Sequence, residues 1–266
     1  MLFGRKLALS CTIINNKDKI IDKESGQKRL DIVFWDIDGT LVRTGKAGLF
    51  AFQSAIAELG FRQPELRQIQ AAGMTDYSIA AQIIAAVTGR QAQHEAIIAL
   101  TARYEELLPE HLARHEGKVM PSVREILPAL HAHGVHSLLL TGNSRRGAEL
   151  KMKKFGLAGY FDFDRSAFCE HSSTRDDVAR RALESVKALA ATEPARVFVI
   201  GDTPNDVRCG KQIGAYTIGV ATGTFTETEL ALHAPWWVTE QLPGAADFLN
   251  KIAQPSPVCY GEIDAI

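Results

Sequence analysis

The chain has 266 residues, enough for one large domain or two modest ones with a real hydrophobic core. Hydrophobic residues at 46% and charged residues at 23% exclude a disordered, collagen-like or disulfide-scaffold polypeptide. With 30 basic against 31 acidic residues there is no positive excess to neutralise a polyanion, which argues against a nucleic-acid partner.

Residues 1–29 are polar apart from a short apolar run at 7–14, interrupted by Ser10 and Thr12. They are expected to form an N-terminal extension rather than an export signal. No apolar run reaches the roughly 20 residues of a membrane helix, so no membrane association is expected. Cys11, Cys169, Cys209 and Cys259 are dispersed, without a CxxC pair. That pattern suits reduced thiols in a cytoplasmic protein.

From residue 30 onward, buried-strand and helix patterns alternate. Strands are expected at 31–35, 137–140 and 196–200, with a weaker one at 216–220, all short, apolar and rich in β-branched or aromatic residues. Unbroken apolar strands imply a sheet covered on both faces. Helices are expected at 122–133, 145–155, 176–190 and 206–213, three of them closed by Gly134, Gly156 and Gly214. The stretch 46–117 does not alternate and holds only helical patterns, at 48–59, 77–87 and 92–116. The expected architecture is therefore an α/β doubly wound, Rossmann-like parallel sheet (30–45 and 118–266) with an inserted all-helical domain (46–117).

Each of the three best strands runs into a polar cluster. Trp35 leads to Asp36-Ile37-Asp38-Gly39-Thr40-Leu41, Leu140 to Thr141-Gly142-Asn143, and Ile200 to Gly201-Asp202-Thr203-Pro204-Asn205-Asp206. In a parallel sheet the carboxyl ends of the strands share one edge, where ligands bind. Four aspartates gathered there repel one another unless a cation intervenes, and hard oxygen ligands point to Mg²⁺. The Gly and Thr residues add N–H and hydroxyl donors that suit a phosphoryl group.

These motifs resemble the haloacid dehalogenase superfamily, in its phosphoglycolate phosphatase-like branch with a helical cap, over roughly residues 30–250. Asp36 to Leu41 match DxDGT[LV], Thr141 matches the strand-terminal Ser/Thr, and Gly201 to Asp206 match GDxxxD. The resemblance implies Asp36 as nucleophile and Asp38 as the acid and base. It implies Mg²⁺ held by Asp36, the Asp38 carbonyl and Asp202, with Asp206 behind them. Gly39, Thr40, Thr141, Gly142 and Asn143 would hold the phosphoryl group. It further implies a Mg²⁺-dependent phosphatase acting on a small phosphorylated metabolite, with phosphoglycolate as the default substrate. A phosphomutase of the β-phosphoglucomutase type and a non-catalytic protein on the same fold remain alternatives. Asp38 disfavours dehalogenase and phosphonatase chemistry, which lack that acid.

The family's third motif usually supplies a Lys. None stands between Phe161 and the helix that follows, and Arg175 occupies the matching place, as either the missing cation or a surface arginine. Lys151, Lys153 and Lys154 are expected on a solvated helix face. Gly73-Met74-Thr75-Asp76 is either an element of related phosphatase caps or a plain helix N-cap. The histidines at 94, 111, 115, 131, 133 and 136 are expected at the surface or in helix packing. Trp236 and Trp237 are expected to pack under the last strand.

Overall fold

A computed structural model describes residues 30–171, 174–191 and 195–255. The expectations for residues 1–29, Cys11 and Cys259 lie outside the described residues. Five parallel strands form the main sheet: β1 (Leu30–Trp35), β4 (His136–Leu139), β5 (Ala195–Gly201), β6 (Tyr216–Val220) and β7 (Trp237–Thr239), in the order β4-β1-β5-β6-β7. The four expected strands are present to within two residues. The fifth, β7, contains Trp237, which pairs beside Ile218 rather than packing beneath the last strand. Its three residues are too few to show a period.

Side chains of β1 alternate between two cores. Val33 and Trp35 join a cluster with Ile126, Leu130, Met152 and Phe248, from α4 (Val123–Ala132), α5 (Arg145–Lys154) and α9 (Ala245–Ala253). Ile32 and Phe34 join Val178, Ala182 and Cys209, from α6 (Arg175–Leu189) and α7 (Pro204–Gln212). Both sheet faces are thus covered, which is why the strands read as continuous apolar runs. Cys169 and Cys209 are buried. None of the described helices is long and apolar enough to cross a membrane.

Between β1 and β4 the chain leaves the sheet through β2 (Val42–Arg43) and returns through β3 (Lys118–Val119), an antiparallel pair. The loop-out carries α1 (Ala47–Glu58), α2 (Asp76–Thr88) and α3 (His94–Arg114). These helices enclose a third apolar cluster of their own around Phe52, Ile83, Leu100, Tyr104 and Leu108. His111 is buried there, its Nε2 3.0 Å from Ser54 Oγ, a packing role as expected.

Since β1 lies between β4 and β5, the chain switches sides of β1 after β4. That arrangement opens a crevice at the carboxyl end of β1, and the helical insert stands over it.

Candidate active site

The polar clusters after β1, β4 and β5 meet in this crevice. Asp36, immediately beyond β1, sits beside Asp202, immediately beyond β5, and Asp206, in the first turn of α7. One carboxylate oxygen from each lies within 4.8 Å of the others, and all three residues are buried. Burial pushes the Asp36 carboxyl up to about 7, with Asp206 adding to the rise and Arg175 opposing it. Asp202 is likewise held well above the usual carboxylate range by burial and by Asp36 and Asp206. The sheet therefore concentrates more negative charge than the protein neutralises. A hard divalent cation suits this set of carboxylate oxygens.

Asp206 is fixed from two sides. Thr203 caps α7, and Asp206 Oδ2 accepts from the Thr203 N–H at 3.0 Å and its hydroxyl at 2.6 Å, closing a capping box. Its Oδ1 accepts from Arg175 Nη2 at 2.6 Å. The same Nη2 lies 3.2 Å from Asp36 Oδ1. Arg175 is the first residue of α6, after the Thr174 N-cap, and its side chain turns back into the crevice, 3% exposed. Asp206 and Asp36 raise its pKa further despite the desolvation of burial. The guanidinium is thus in the site rather than at the surface. Its Nη1 is buried without a hydrogen-bond partner, a donor poised for an oxygen not supplied by the protein.

Gly39 adopts φ 95° and faces Asp202, where a Cβ would fall 2.4 Å from Oδ2. Only glycine allows the loop to pass so close to that carboxylate. Thr40 donates its hydroxyl to Asp202 Oδ1 at 3.0 Å, which orients the carboxylate. Thr141, fully buried, helps to favour the Asp36 carboxylate, and its hydroxyl accepts from Asn143 Nδ2 at 2.8 Å.

Asp38 stands apart from the three-carboxylate cluster, its side chain 42% exposed. Its Oδ2 accepts from Asn143 Nδ2 at 3.0 Å and from Lys151 Nζ at 2.5 Å. Lys151 also donates to Asn143 Oδ1 at 2.5 Å. This corrects the expectation of a solvated lysine face. Lys153 and Lys154 are exposed, whereas the Lys151 side chain is 5% exposed and belongs to the site. The buried stripe of α5 runs through Gly147, Ala148, Lys151 and Met152, so the ammonium points inward beside two core residues. Helical phase carried that signal: 151 follows 147 and 148 by four and three residues.

The sequence pattern of haloacid dehalogenase-like hydrolases matches residues 33–220, spanning the sheet, the insert and every strand-end cluster just described. The chain belongs to that family. A probable phosphatase, IndB, of Dickeya dadantii (strain 3937) is 29% identical over 235 residues, covering 86% of this chain and 98% of the relative. A phosphoglycolate phosphatase of Thiobacillus denitrificans is 25% identical over 194 residues, covering 71% of this chain and 82% of its own. Among solved structures, a predicted phosphoglycolate phosphatase from Haemophilus somnus 129pt superposes with a TM-score of 0.65 at 16% identity, covering 85% of this chain and 98% of the other. The fold is shared at that distance.

On this hydrolase fold the 73–76 loop joins the insert to the core. Thr75 is the N-cap of α2, accepting from the Ser78 N–H, so the plain capping role is present. The same loop also docks on the crevice. Gly73 O accepts from Arg175 Nε at 3.1 Å and Asn205 Nδ2 at 2.8 Å. The Asp76 N–H donates to Gly142 O at 2.7 Å, and Asp76 Oδ2 accepts from the Ser144 N–H at 2.8 Å. A Cβ on Gly142 would fall 2.1 Å from Met74 O, so the strand-end glycine makes room for the insert. The half-open cavity between them, about 460 Å³, is lined by Asp36, Asp38, Lys151 and Arg175 from the core and by Phe52 and Tyr104 from the insert.

Proposed function

We propose that the chain is a Mg²⁺-dependent phosphatase that hydrolyses a small phosphorylated metabolite through an aspartyl-phosphate. The observation that carries this reading is the Asp36, Asp202 and Asp206 cluster beside Arg175, whose buried Nη1 has no protein acceptor. Asp36, Asp202 and the backbone carbonyl of Asp38 would hold the cation, and Asp206 is engaged by Arg175 and Thr203. Bound Mg²⁺ supplies the positive charge that lets the Asp36 carboxylate and a phosphate dianion approach one another.

An Asp36 oxygen attacks phosphorus, and the bond to the leaving oxygen breaks as Asp38 delivers its proton to that oxygen. Asp38, now a carboxylate, takes a proton from water. The resulting hydroxide attacks phosphorus, and the acyl-phosphate bond breaks to return Asp36 and inorganic phosphate. Arg175, the Thr141 hydroxyl and the N–H groups of Gly142 and Asn143 stabilise the transferring phosphoryl group, whose charge peaks in the transition state. Gly39 and Thr40 support it through Asp202. Lys151 and Asn143 hold Asp38 at the boundary between core and insert.

In this reading residues 30–45 and 118–266 are the catalytic core and 46–117 a cap that closes over substrate. The buried Cys169 and Cys209 support a cytoplasmic setting. Phosphate release from a panel of phosphorylated metabolites, with phosphoglycolate as first member, tests the function. Turnover with Mg²⁺ that stops with EDTA is expected. Metal-independent turnover, or isomerisation of a sugar phosphate without net phosphate release, would overturn it.

A further inference from the structure

Tyr104, on α3 of the insert, is fully buried, yet its hydroxyl has no hydrogen-bond partner. An unpaired buried hydroxyl costs roughly 1–3 kcal/mol, so its presence in a cavity calls for an explanation. The ring is held by a parallel stack on Phe52, with centroids 3.9 Å apart and planes 2° from parallel, and the hydroxyl is placed by that stack. Across the same cavity stands Lys151, whose ammonium has three N–H donors. Asp38 and Asn143 account for two of them.

The wall between the two groups is Gly48. A Cβ built there would lie in ordinary contact, 3.7 Å from Tyr104 Oη and 3.9 Å from Lys151 Nζ, so both polar groups border the volume that a side chain at 48 would take and the glycine leaves to a ligand. We propose that this space is a leaving-group subsite, in which Tyr104 and Lys151 donate to an uncharged oxygen, a hydroxyl carried by the substrate's alcohol. The inference rests on the phosphatase reading and deepens it.

Its position follows from Asp38. The departing oxygen must reach the Asp38 carboxyl to be protonated, and Lys151 is bonded to that same carboxyl. A group beside Lys151 therefore belongs to the alcohol rather than to the phosphoryl end, which Arg175 and Thr141 address. Its charge preference follows from the surroundings. Lys151 faces Asp38 at 2.5 Å and interacts also with Asp76, so at this pair of donors its ammonium is already engaged by acidic groups, while the cavity's other cations besides Arg175 are Arg43 and Lys46, both exposed. Asp76, pushed up to about 6 by burial, is still mostly ionised at neutral pH. Leu49, Phe52 and Ile79 supply apolar wall for the carbon skeleton. The substrate class is thus a polyol, sugar or nucleoside type of phosphate in preference to a carboxylate such as phosphoglycolate.

The test uses the full chain with Mg²⁺ and two matched pairs: sn-glycerol 3-phosphate with n-propyl phosphate, and phosphoglycolate with ethyl phosphate. The wild type should favour glycerol phosphate over propyl phosphate by about tenfold or more in kcat/KM, the scale of one hydrogen bond made in a water-poor site. It should show no comparable preference for phosphoglycolate over ethyl phosphate. Tyr104→Phe keeps the stack and should lower the glycerol-to-propyl ratio about tenfold without lowering Tm. Gly48→Ala, which fills the space while favouring the helix, should lower the same ratio even if the first variant folds poorly. A ratio untouched by both variants, an equal loss on both esters, or a phosphoglycolate preference that Tyr104→Phe abolishes would overturn the subsite. If p-nitrophenyl phosphate and all four esters resist the wild type, the phosphatase reading falls first and the subsite with it.

Discussion

An aspartate stands at either end of strand β1, Asp31 within it and Asp36 just beyond it, and the two are treated in opposite ways. Asp31, at the amino end, meets Arg196 of β5 in a bidentate pair, Nε to Oδ1 at 2.8 Å and Nη2 to Oδ2 at 2.6 Å. The remaining Arg196 nitrogen donates to the carbonyls of Ile252 and Ala253, so one carboxylate and one guanidinium satisfy each other. Asp36, five residues further on and just past the carboxyl end of the strand, shares one guanidinium with Asp206 beside Asp202, and that guanidinium keeps an unpartnered Nη1. The first end is electrostatically complete and holds the strands together. The second is incomplete in both senses, with excess negative charge and a spare donor. A ligand made of a cation and an oxyanion completes both at once.

Substitutions at the two ends should separate these roles. The largest effect is expected from Asp36→Asn, which keeps shape but removes the nucleophile. Phosphate release should be abolished while circular dichroism stays that of the wild type, and retained turnover would break the assignment. Next comes Arg175→Ala, which should lower kcat/KM by roughly 10²-fold or more, the scale of one charge-stabilising donor. Arg175→Lys should restore part of that loss, because a point charge replaces a fork. If Arg175→Ala turns over like the wild type, the spare Nη1 has no part in the chemistry.

A smaller loss, about tenfold in kcat, is expected from Lys151→Met, since Asp38 loses its partner but keeps Asn143. It should be greater for alkyl phosphates, which need a proton on the leaving oxygen, than for p-nitrophenyl phosphate. Lys153→Ala and Lys154→Ala, at exposed positions, should match the wild type. Equal rates across all three lysine variants would return Lys151 to a packing role.

At the complete end the readout changes from activity to stability. Asp31→Asn should leave kcat near the wild-type value but cost about 3 kcal/mol in urea unfolding, because Arg196 is left buried with half its pairing. Asp76 gives the opposite sign. Burial raises its carboxyl from 3.8 to about 6, so the folded chain holds a proton that the unfolded chain releases over that interval. Stability attributable to this group therefore falls as pH rises from about 4 through 6, by on the order of 3 kcal/mol. Asp76→Asn should raise stability at pH 8 and lose that advantage near pH 4. A pH profile parallel to the wild type would show that Lys151 and Ser144 compensate the burial in full.

The strand-end residues were legible because strand identity and termination are local properties. An apolar β-branched run ending in Asp36-Ile37-Asp38-Gly39 or Gly201-Asp202 announces both the strand and its polar exit. Arg175 was legible by position, since it stands just before the helix expected at 176–190, where the family's third motif supplies a cation; that Thr174 caps the helix and Arg175 begins it came from the structure. Lys151 was misread because Lys153 and Lys154 beside it form an exposed pair, and a lysine's buried or solvated state depends on what stands opposite. The short strands β2, β3 and β7 escaped for a related reason: two or three residues carry no period, and their pairing is made by partners distant in the chain.

By itself, the sequence determined the alternation of strands and helices, the helical insert and the three polar strand exits, because each follows from the order of apolar, capping and turn residues along the chain. Only the tertiary structure decided that Asp36, Asp202 and Asp206 share one small volume, that Lys151 turns inward to Asp38, and that Tyr104 lines the same cavity with its hydroxyl unpartnered. Those facts depend on which elements the fold brings together from distant parts of the chain, as Lys151 and Asp38 are brought together across 113 residues. Charge balance and hydrogen-bond satisfaction are properties of that assembled volume, and no stretch of sequence contains them.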